Sequence, residues 1–306
     1  MRLSDVITGY WLDKRLDFSP TTIPGYERTF ARLVAFLGDP EFAAVTPNDI
    51  RRFLAHLAGH YGLSRRTVHD AWIPLSSLWT WAENELGTPH IIRGKVKQPK
   101  YTKRTIDALN EDQVRAILAA ALHGRPYSTT SGRQVTPARP TADRDRAIVL
   151  TLLDSGLRAA ELCALIIGDY DAKRGRLLVQ HGKGDKARYV VVGQRTQKAM
   201  WRYLSQRPDA SVKGALFATR TGAHIDRTML RQLLARMGNR AGVANVHPHR
   251  FRHTFAINFL RNGGNLLTLK ELLGHESLVM VQRYARIVEA DIDRAQTHSP
   301  ADNWRL

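Results

Sequence analysis

The chain has 306 residues, 43% of them hydrophobic, which is enough apolar material for two domain cores and excludes a disordered or fibrous chain. Lys and Arg number 46 against 28 Asp and Glu, and the resulting charge of +18 points to a polyanionic partner, nucleic acid before an acidic membrane surface. The single cysteine, Cys163, excludes an intramolecular disulfide and a cysteine-rich zinc site, and no apolar run reaches the ~18 residues that a membrane span needs.

The first residues, MRLSDVITGYWLDKR, space acidic and polar side chains among apolar ones and read as no secretion signal, which suits the cytoplasm. Residues 1–87 read as a small helical unit. Its first helix is expected around Ser4–Leu16, its second in TTIPGYERTFARLVAFLG, and its third in TPNDIRRFLAHLAGHYG, with Thr46 as cap and Pro47 in the first turn. In TVHDAWIPLSSLWTWAENELG, Val68, Ala71, Trp72, Leu75, Leu78, Trp79 and Ala82 recur at three- and four-residue steps and make one apolar face. Pro74 within that stretch is expected to kink or interrupt the helix. Residues 88–105 then lose all periodicity and carry many basic residues without an acid. They read as an interdomain linker, either simply solvated or lying across phosphates.

A second unit, 106–306, opens with a helical pattern in LNEDQVRAILAAALHG. The stretch Gly124–Thr141, rich in Gly, Pro, Ser and Thr, reads as an exposed loop or insertion. Helices are expected in DRDRAIVLTLLDSGL and AELCALI, followed by two short strands joined through Gly-Lys-Gly in RLLVQHGKGDKARYVVV. TMLRQLLARMG, HRFRHTFAINFL, LLTLKELLG and SLVMVQRYARIVEADI complete the helical remainder.

Several side chains are candidates for chemistry. His249 and Arg252 stand three apart, so on a helix they share one surface. Histidine exchanges protons near neutrality, and arginine offers a planar fork to phosphate oxygens. The same spacing suits a basic helix, with Arg250 and His253, resting on DNA without chemistry. Arg158 follows a helix end at Gly156, where a sharp turn can aim it inward, and Glu161 can hold its guanidinium; a surface ion pair is the plain alternative. Lys183, between Gly182 and Gly184, can protonate a departing alkoxide if a positive field lowers its pKa, with Lys186 and Arg188 as competitors. His275 precedes a helix whose apolar stripe is Leu278, Val281, Ala285 and Val288, with Tyr284 on its flank. A tyrosine there is ordinarily a core residue. As a nucleophile, with an ordinary pKa of roughly 10, it needs positive charge around it. The set suits phosphoryl transfer without metal.

The pieces SGLRAAELCAL, HGKGDKARYVV, HPHRFRHTFAINFL and LLGHESLVMVQRYARI closely resemble the tyrosine recombinase, or phage integrase, family over residues 106–290. The resemblance implies a mainly α fold: a helical SAM-like core-binding domain over 1–87, and an α+β catalytic domain with a small antiparallel sheet and a C-terminal tail. It implies catalytic roles for Arg158, Lys183, His249, Arg252, His275 and Tyr284, with Glu161 orienting Arg158 and no cofactor or metal. Candidate DNA contacts are Arg65, Arg66, Arg93, Lys95, Lys97, Lys100, Lys103, Arg104, Lys186, Arg188 and Arg250. The implied activity is site-specific recombination of double-stranded DNA through a 3′-phosphotyrosyl intermediate and a Holliday junction. Its agent would be a homotetramer on two sites, a monomer or weak dimer without DNA, helped where the site requires it by an accessory DNA-bending protein, in the cytoplasm at the nucleoid. The layout is closer to the Xer recombinases and compact transposon or plasmid recombinases than to integrases with an added arm-type domain. Met280 and Val281 stand where relatives often have a hydroxyl residue, and Arg286 where many have histidine. The rival readings are a type IB topoisomerase and a non-catalytic DNA-binding factor.

Overall fold

The computed structural model describes residues 1–102, 107–124, 127–135, 137, 139–180, 187–208, 210–275 and 277–296. The chain divides into two compact units, Met1–Thr105 and Ile106–Leu306.

In the first unit, α1 (Leu3–Lys14), α2 (Ile23–Leu37), α3 (Pro47–Gly59) and α4 (Arg65–Leu86) enclose a core built on Tyr10, Phe30, Phe53 and Trp79. The start of α3 follows from local chemistry. The Thr46 hydroxyl accepts from the Asp49 amide at 3.3 Å, and the Asp49 carboxylate accepts from the Thr46 amide at 3.0 Å, so two otherwise orphaned donors are satisfied. Pro74 does not end α4, which runs unbroken from Arg65 to Leu86. Pro74 is itself buried, and so are Ala71, Leu75, Leu78 and Trp79 around it; packing along that face outweighs the backbone bond that proline forfeits.

Residues 88–102 are not the free linker that their composition suggests. Ile92 and Val96 are buried in the same core, Trp72 Nε1 donates to the Val96 carbonyl at 3.2 Å, and the His69 ring bonds the Pro99 carbonyl at 2.8 Å. Two buried apolar residues in an irregular path leave no periodicity to read. The basic candidates remain at the surface: Arg65, Arg66, Arg93, Lys95, Lys97 and Lys100 are exposed. Two of them have acidic neighbours, Arg66 pairing with Asp70 and Arg93 with Glu83, both at 3.0 Å. Lys103 and Arg104 lie outside the described residues.

The second unit comprises α5 (Glu111–Leu122), α6 (Ala142–Ser155), α7 (Ala159–Ala164), α8 (Gln194–Ser205), α9 (Arg227–Ala241), α10 (Pro248–Arg261), α11 (Leu266–Leu273) and α12 (Val279–Gln296). Between α5 and α6, the stretch read as a loop contains a small antiparallel hairpin of β1 (Tyr127–Ser128) and β2 (Gln134–Val135). Between α7 and α8 lies an antiparallel sheet in the order β3 (Tyr170–Asp171), β4 (Arg176–Val179) and β5 (Arg188–Val191), with Leu177 opposite Val190. Residues 181–186 between β4 and β5, with Lys183 and Lys186, lie outside the described residues.

Helix α6 is the hub. Ala147, Ile148, Val149, Leu150 and Leu152 are all buried, because α5, α8 and α10 pack on different sides of it. That is why its sequence reads as nearly continuous apolar residues rather than a stripe. The sequence reading singled out neither β3, of two residues, nor α8, whose buried positions include the polar Thr196 beside Ala199, Met200 and Tyr203. Among the described residues no helix is long and apolar enough to cross a membrane.

Candidate active site

The site is assembled where the end of α6, the start of α7, β5, α10 and the turn after α11 meet. Gly156 caps α6 with φ +59°, a left-handed conformation that glycine adopts without strain. The tight turn lets its carbonyl accept from Arg252 Nη1 at 2.7 Å and leads into Arg158 at the head of α7. A side chain at 156 would collide with the Phe255 ring and crowd Leu273 Cδ2 at 3.0 Å. Gly156→Ala is therefore expected to destabilise the fold by about 2–4 kcal/mol, combining backbone strain with overpacking. A denaturant melt with a midpoint unchanged from the native protein would contradict this.

Glu161 is the buried anion of the site, with 6% of its surface exposed. It accepts from the Arg158 amide and from Arg158 Nη1, both at 2.8 Å, and from Arg188 Nη1 at 3.1 Å and Nη2 at 2.9 Å. Burial acts to raise its pKa, but the hydrogen bonds and charges of Arg188 and Arg158 prevail and hold it below the ordinary value. Arg158 also donates from Nη2 to the Gly274 carbonyl at 2.8 Å. Among the described residues no other acceptor takes its remaining guanidinium hydrogens.

Arg252 is 4% exposed and held by carbonyls from both sides, with Nη1 on Gly156 and Nη2 on Leu273 at 2.7 Å. Burial, then the charge of Arg158, brings its pKa down to about 10, so it stays cationic at neutral pH. Arg252 Nη2 also meets His275 Nε2 at 2.7 Å. A guanidinium can only donate, so His275 Nε2 is the accepting nitrogen and Nδ1 carries the proton. That Nδ1 is buried and has no partner among the described residues. Burial, then Arg252, Arg158 and Arg188, holds the ring neutral with a pKa of about 4. The result is two cations and an unused N–H donor in one cluster. His249 lies one turn before Arg252 and His253 on α10, open to solvent at the surface, and partial desolvation of its ring, followed by the charges of Arg252 and Arg158, depresses its pKa.

Tyr284 does not sit on the flank of the apolar stripe. It is 3% exposed, clustered with Ala256, Ile257, Leu269, Leu273 and Val281. Its hydroxyl meets His253 Nδ1 at 2.8 Å. Burial raises its pKa, and the opposing charges of Arg252 and Arg283 do not reverse the shift, so the resting phenol is protonated.

Two of the expected DNA contacts turn inward instead. Arg250 is 5% exposed and is bonded to Asp107 Oδ1, Gln113 and the Ala244 carbonyl, tying α10 to the segment before α5. The side chain of Arg188 is 12% exposed, with its guanidinium shared between Glu161 and the Leu272 carbonyl. Charge alone marked both as surface groups, whereas their partners, Glu161 and Leu272 for Arg188 and Asp107 and Gln113 for Arg250, lie far away in the chain. His253, which the sequence placed only on a basic helix resting on DNA, makes a contact that the sequence did not foresee. Its only local signal is a position one turn after His249, and nothing local reveals that Tyr284 meets it.

Residues 107–290 match the model of the phage integrase family. The chain is 32% identical over 276 residues to the tyrosine recombinase XerC of Alcanivorax borkumensis, covering 88% of this chain and 84% of that protein. It is 30% identical over 305 residues to the tyrosine recombinase XerC of Bacillus pumilus, covering 95% and 94%. In fold it is similar to the Tn1549 transposon integrase in complex with transposon right-end DNA, with a TM-score of 0.72 at 20% identity over 96% of this chain and 99% of that one.

Proposed function

Because the chain belongs to the phage integrase family of tyrosine recombinases, we propose that it recombines double-stranded DNA site-specifically, with Tyr284 as the nucleophile. The phenolic oxygen attacks the scissile phosphorus, forms a 3′-phosphotyrosyl bond and releases a 5′-hydroxyl. Arg158 and Arg252 hold the non-bridging oxygens as negative charge grows on them, and the free Nδ1–H of His275 donates to the same phosphate. Lys183 protonates the departing 5′ oxygen, and His249 assists proton movement at the nucleophile. The phosphotyrosyl bond conserves the free energy of the phosphodiester, so rejoining by an incoming 5′-hydroxyl needs no nucleotide cofactor. Strand exchange proceeds through a Holliday junction on a homotetramer spanning two sites, assembled from monomers or weak dimers, with an accessory DNA-bending protein where the site requires one.

The observation that carries this reading is the cluster itself: two fixed guanidiniums and a neutral imidazole whose donor has no partner among the described residues, with Arg252 next along α10 to the side chain that binds Tyr284. The first unit, with Arg65, Arg66, Arg93, Lys95, Lys97 and Lys100 at its surface, serves as the clamp on the duplex.

The test is covalent capture. A pool of nicked suicide duplexes with randomised cores, incubated with the native protein, is expected to yield a protein–DNA adduct that survives denaturing electrophoresis. Excess EDTA should leave the yield unchanged, because arginines supply the charge neutralisation at phosphorus. No adduct from the pool sinks the reading; loss of the adduct in EDTA with recovery in magnesium sinks the metal-free chemistry.

A further inference from the structure

We propose that His253 is a catalytic residue whose Nδ1 takes the phenolic proton of Tyr284 as the oxygen attacks phosphorus and returns it when the strand is rejoined. The proposal rests on the recombinase reading above and deepens it. There, His249 is assigned to proton movement by family resemblance, whereas His253 touches the reacting oxygen.

The geometry is specific. His253 Nδ1 and the Tyr284 hydroxyl are 2.8 Å apart, within the range for direct proton transfer. Their ring centroids are 5.7 Å apart and the planes are tilted by 52°, so the contact is made through the polar atoms rather than by stacking. Tyr284 is nearly fully buried, and among the described hydrogen bonds its hydroxyl has this one partner. With Nδ1 accepting, the ring's own proton sits on Nε2.

The proton balance closes. The Tyr284 O–H bond breaks and an N–H bond forms at His253 Nδ1. The phenolic oxygen bonds phosphorus, and the bond from phosphorus to the 5′ oxygen breaks. That oxygen takes its proton from Lys183. In rejoining, each of these transfers runs backwards.

Among the described residues, five groups act on His253. Tyr284 and Arg283 come from α12, His249 and Arg252 from its own helix, and His247 from that helix's N-cap. Burial and the latter four groups keep the ring neutral, with a pKa of about 4. At that basicity, opposite a phenol whose own pKa is raised, the proton stays on Tyr284 and the resting nucleophile is quiet. A phosphodiester seated on Arg158 and Arg252 brings negative charge into the same field, offsets those cations and raises the basicity of His253. The base therefore becomes competent when DNA is bound.

The experiment measures single-turnover adduct formation with the nicked-duplex pool across pH. His253→Asn keeps an acceptor near the Nδ1 position but cannot take a proton, and His253→Ala removes both functions. Each is expected to slow capture by on the order of 100-fold or more while still retaining the pool noncovalently in a gel. The asparagine variant should lose the acid limb of the pH profile. Added imidazole should restore the alanine variant in proportion to its free-base concentration. Asparagine at the native rate with the native pH profile overturns the proposal, because the contact then only holds the ring in place. An alanine variant that imidazole does not restore overturns it as well. No adduct from the native protein sinks the recombinase reading and this proposal together, whereas native capture with unaffected variants sinks the proposal alone.

Discussion

Tyr284→Phe is expected to abolish covalent capture of nicked DNA while leaving the fold and noncovalent DNA binding in place. The substitution removes one oxygen from a ring that packs against Ala256, Ile257, Leu269, Leu273 and Val281, so the apolar contacts around α12 survive. What is lost is the hydrogen bond to the partly buried His253, a change of about 1 kcal/mol in stability. Without the oxygen no phosphotyrosyl bond can form, and capture should fall below detection rather than merely slow. The check is adduct yield and gel retardation measured side by side on one duplex pool. Adduct persisting in the phenylalanine variant would assign the nucleophile to another residue.

Glu161→Ala carries the second large effect, and here stability and activity fall together. The carboxylate is the anion between Arg158 and Arg188, and the Arg188 side chain has little access to water. Its removal leaves a buried guanidinium with its charge uncompensated, which costs about 3–5 kcal/mol. Arg158 loses the contact that aims it, and a misplacement of that kind slows cleavage by on the order of 100-fold. Glu161→Gln, which keeps an acceptor without the charge, should fall between alanine and the native protein in both measurements.

The same carboxylate sets a pH dependence. Its folded pKa lies below the ordinary value of 4.5, so its contribution to stability is complete above that value. As pH falls through the lower folded pKa the carboxylate protonates and the contribution disappears. Melts of native and Glu161→Gln proteins should therefore converge in acid and separate above pH ~5. A constant gap across that window would show that the pair does not carry the charge-linked stability.

Much of this protein is legible in one dimension, because the signals are local. The apolar period over 68–82, the Thr46 cap with Pro47, and the glycine ending α6 before Arg158 depend on neighbours within one or two turns. The Arg158–Glu161 pair also follows from spacing, since residues three apart meet at a helix start. Recognition of the family rested on an ordered set of short pieces, each readable without knowing where the others lie.

Where reading the sequence misled, the deciding contact was distant. Arg188 and Arg250 look like surface charges until folding brings their guanidiniums against Glu161 and Asp107, 27 and 143 residues away. Pro74 looks like a break until packing along α4 outweighs it. Residues 88–102 look like linker until Ile92 and Val96 drop into the core. Tyr284 and His253 stand 31 residues apart on different helices, and no periodicity relates them.

By itself, then, the sequence determined most of the helices, the Thr46 cap, the cationic reagents and the family, since each is written in neighbouring residues. Tertiary structure alone decided which cations gather around Glu161 and His275 and which are tied to acceptors elsewhere. It alone decided that Tyr284 is buried with its hydroxyl against a histidine. Burial and electrostatic field are sums over groups that only folding brings together.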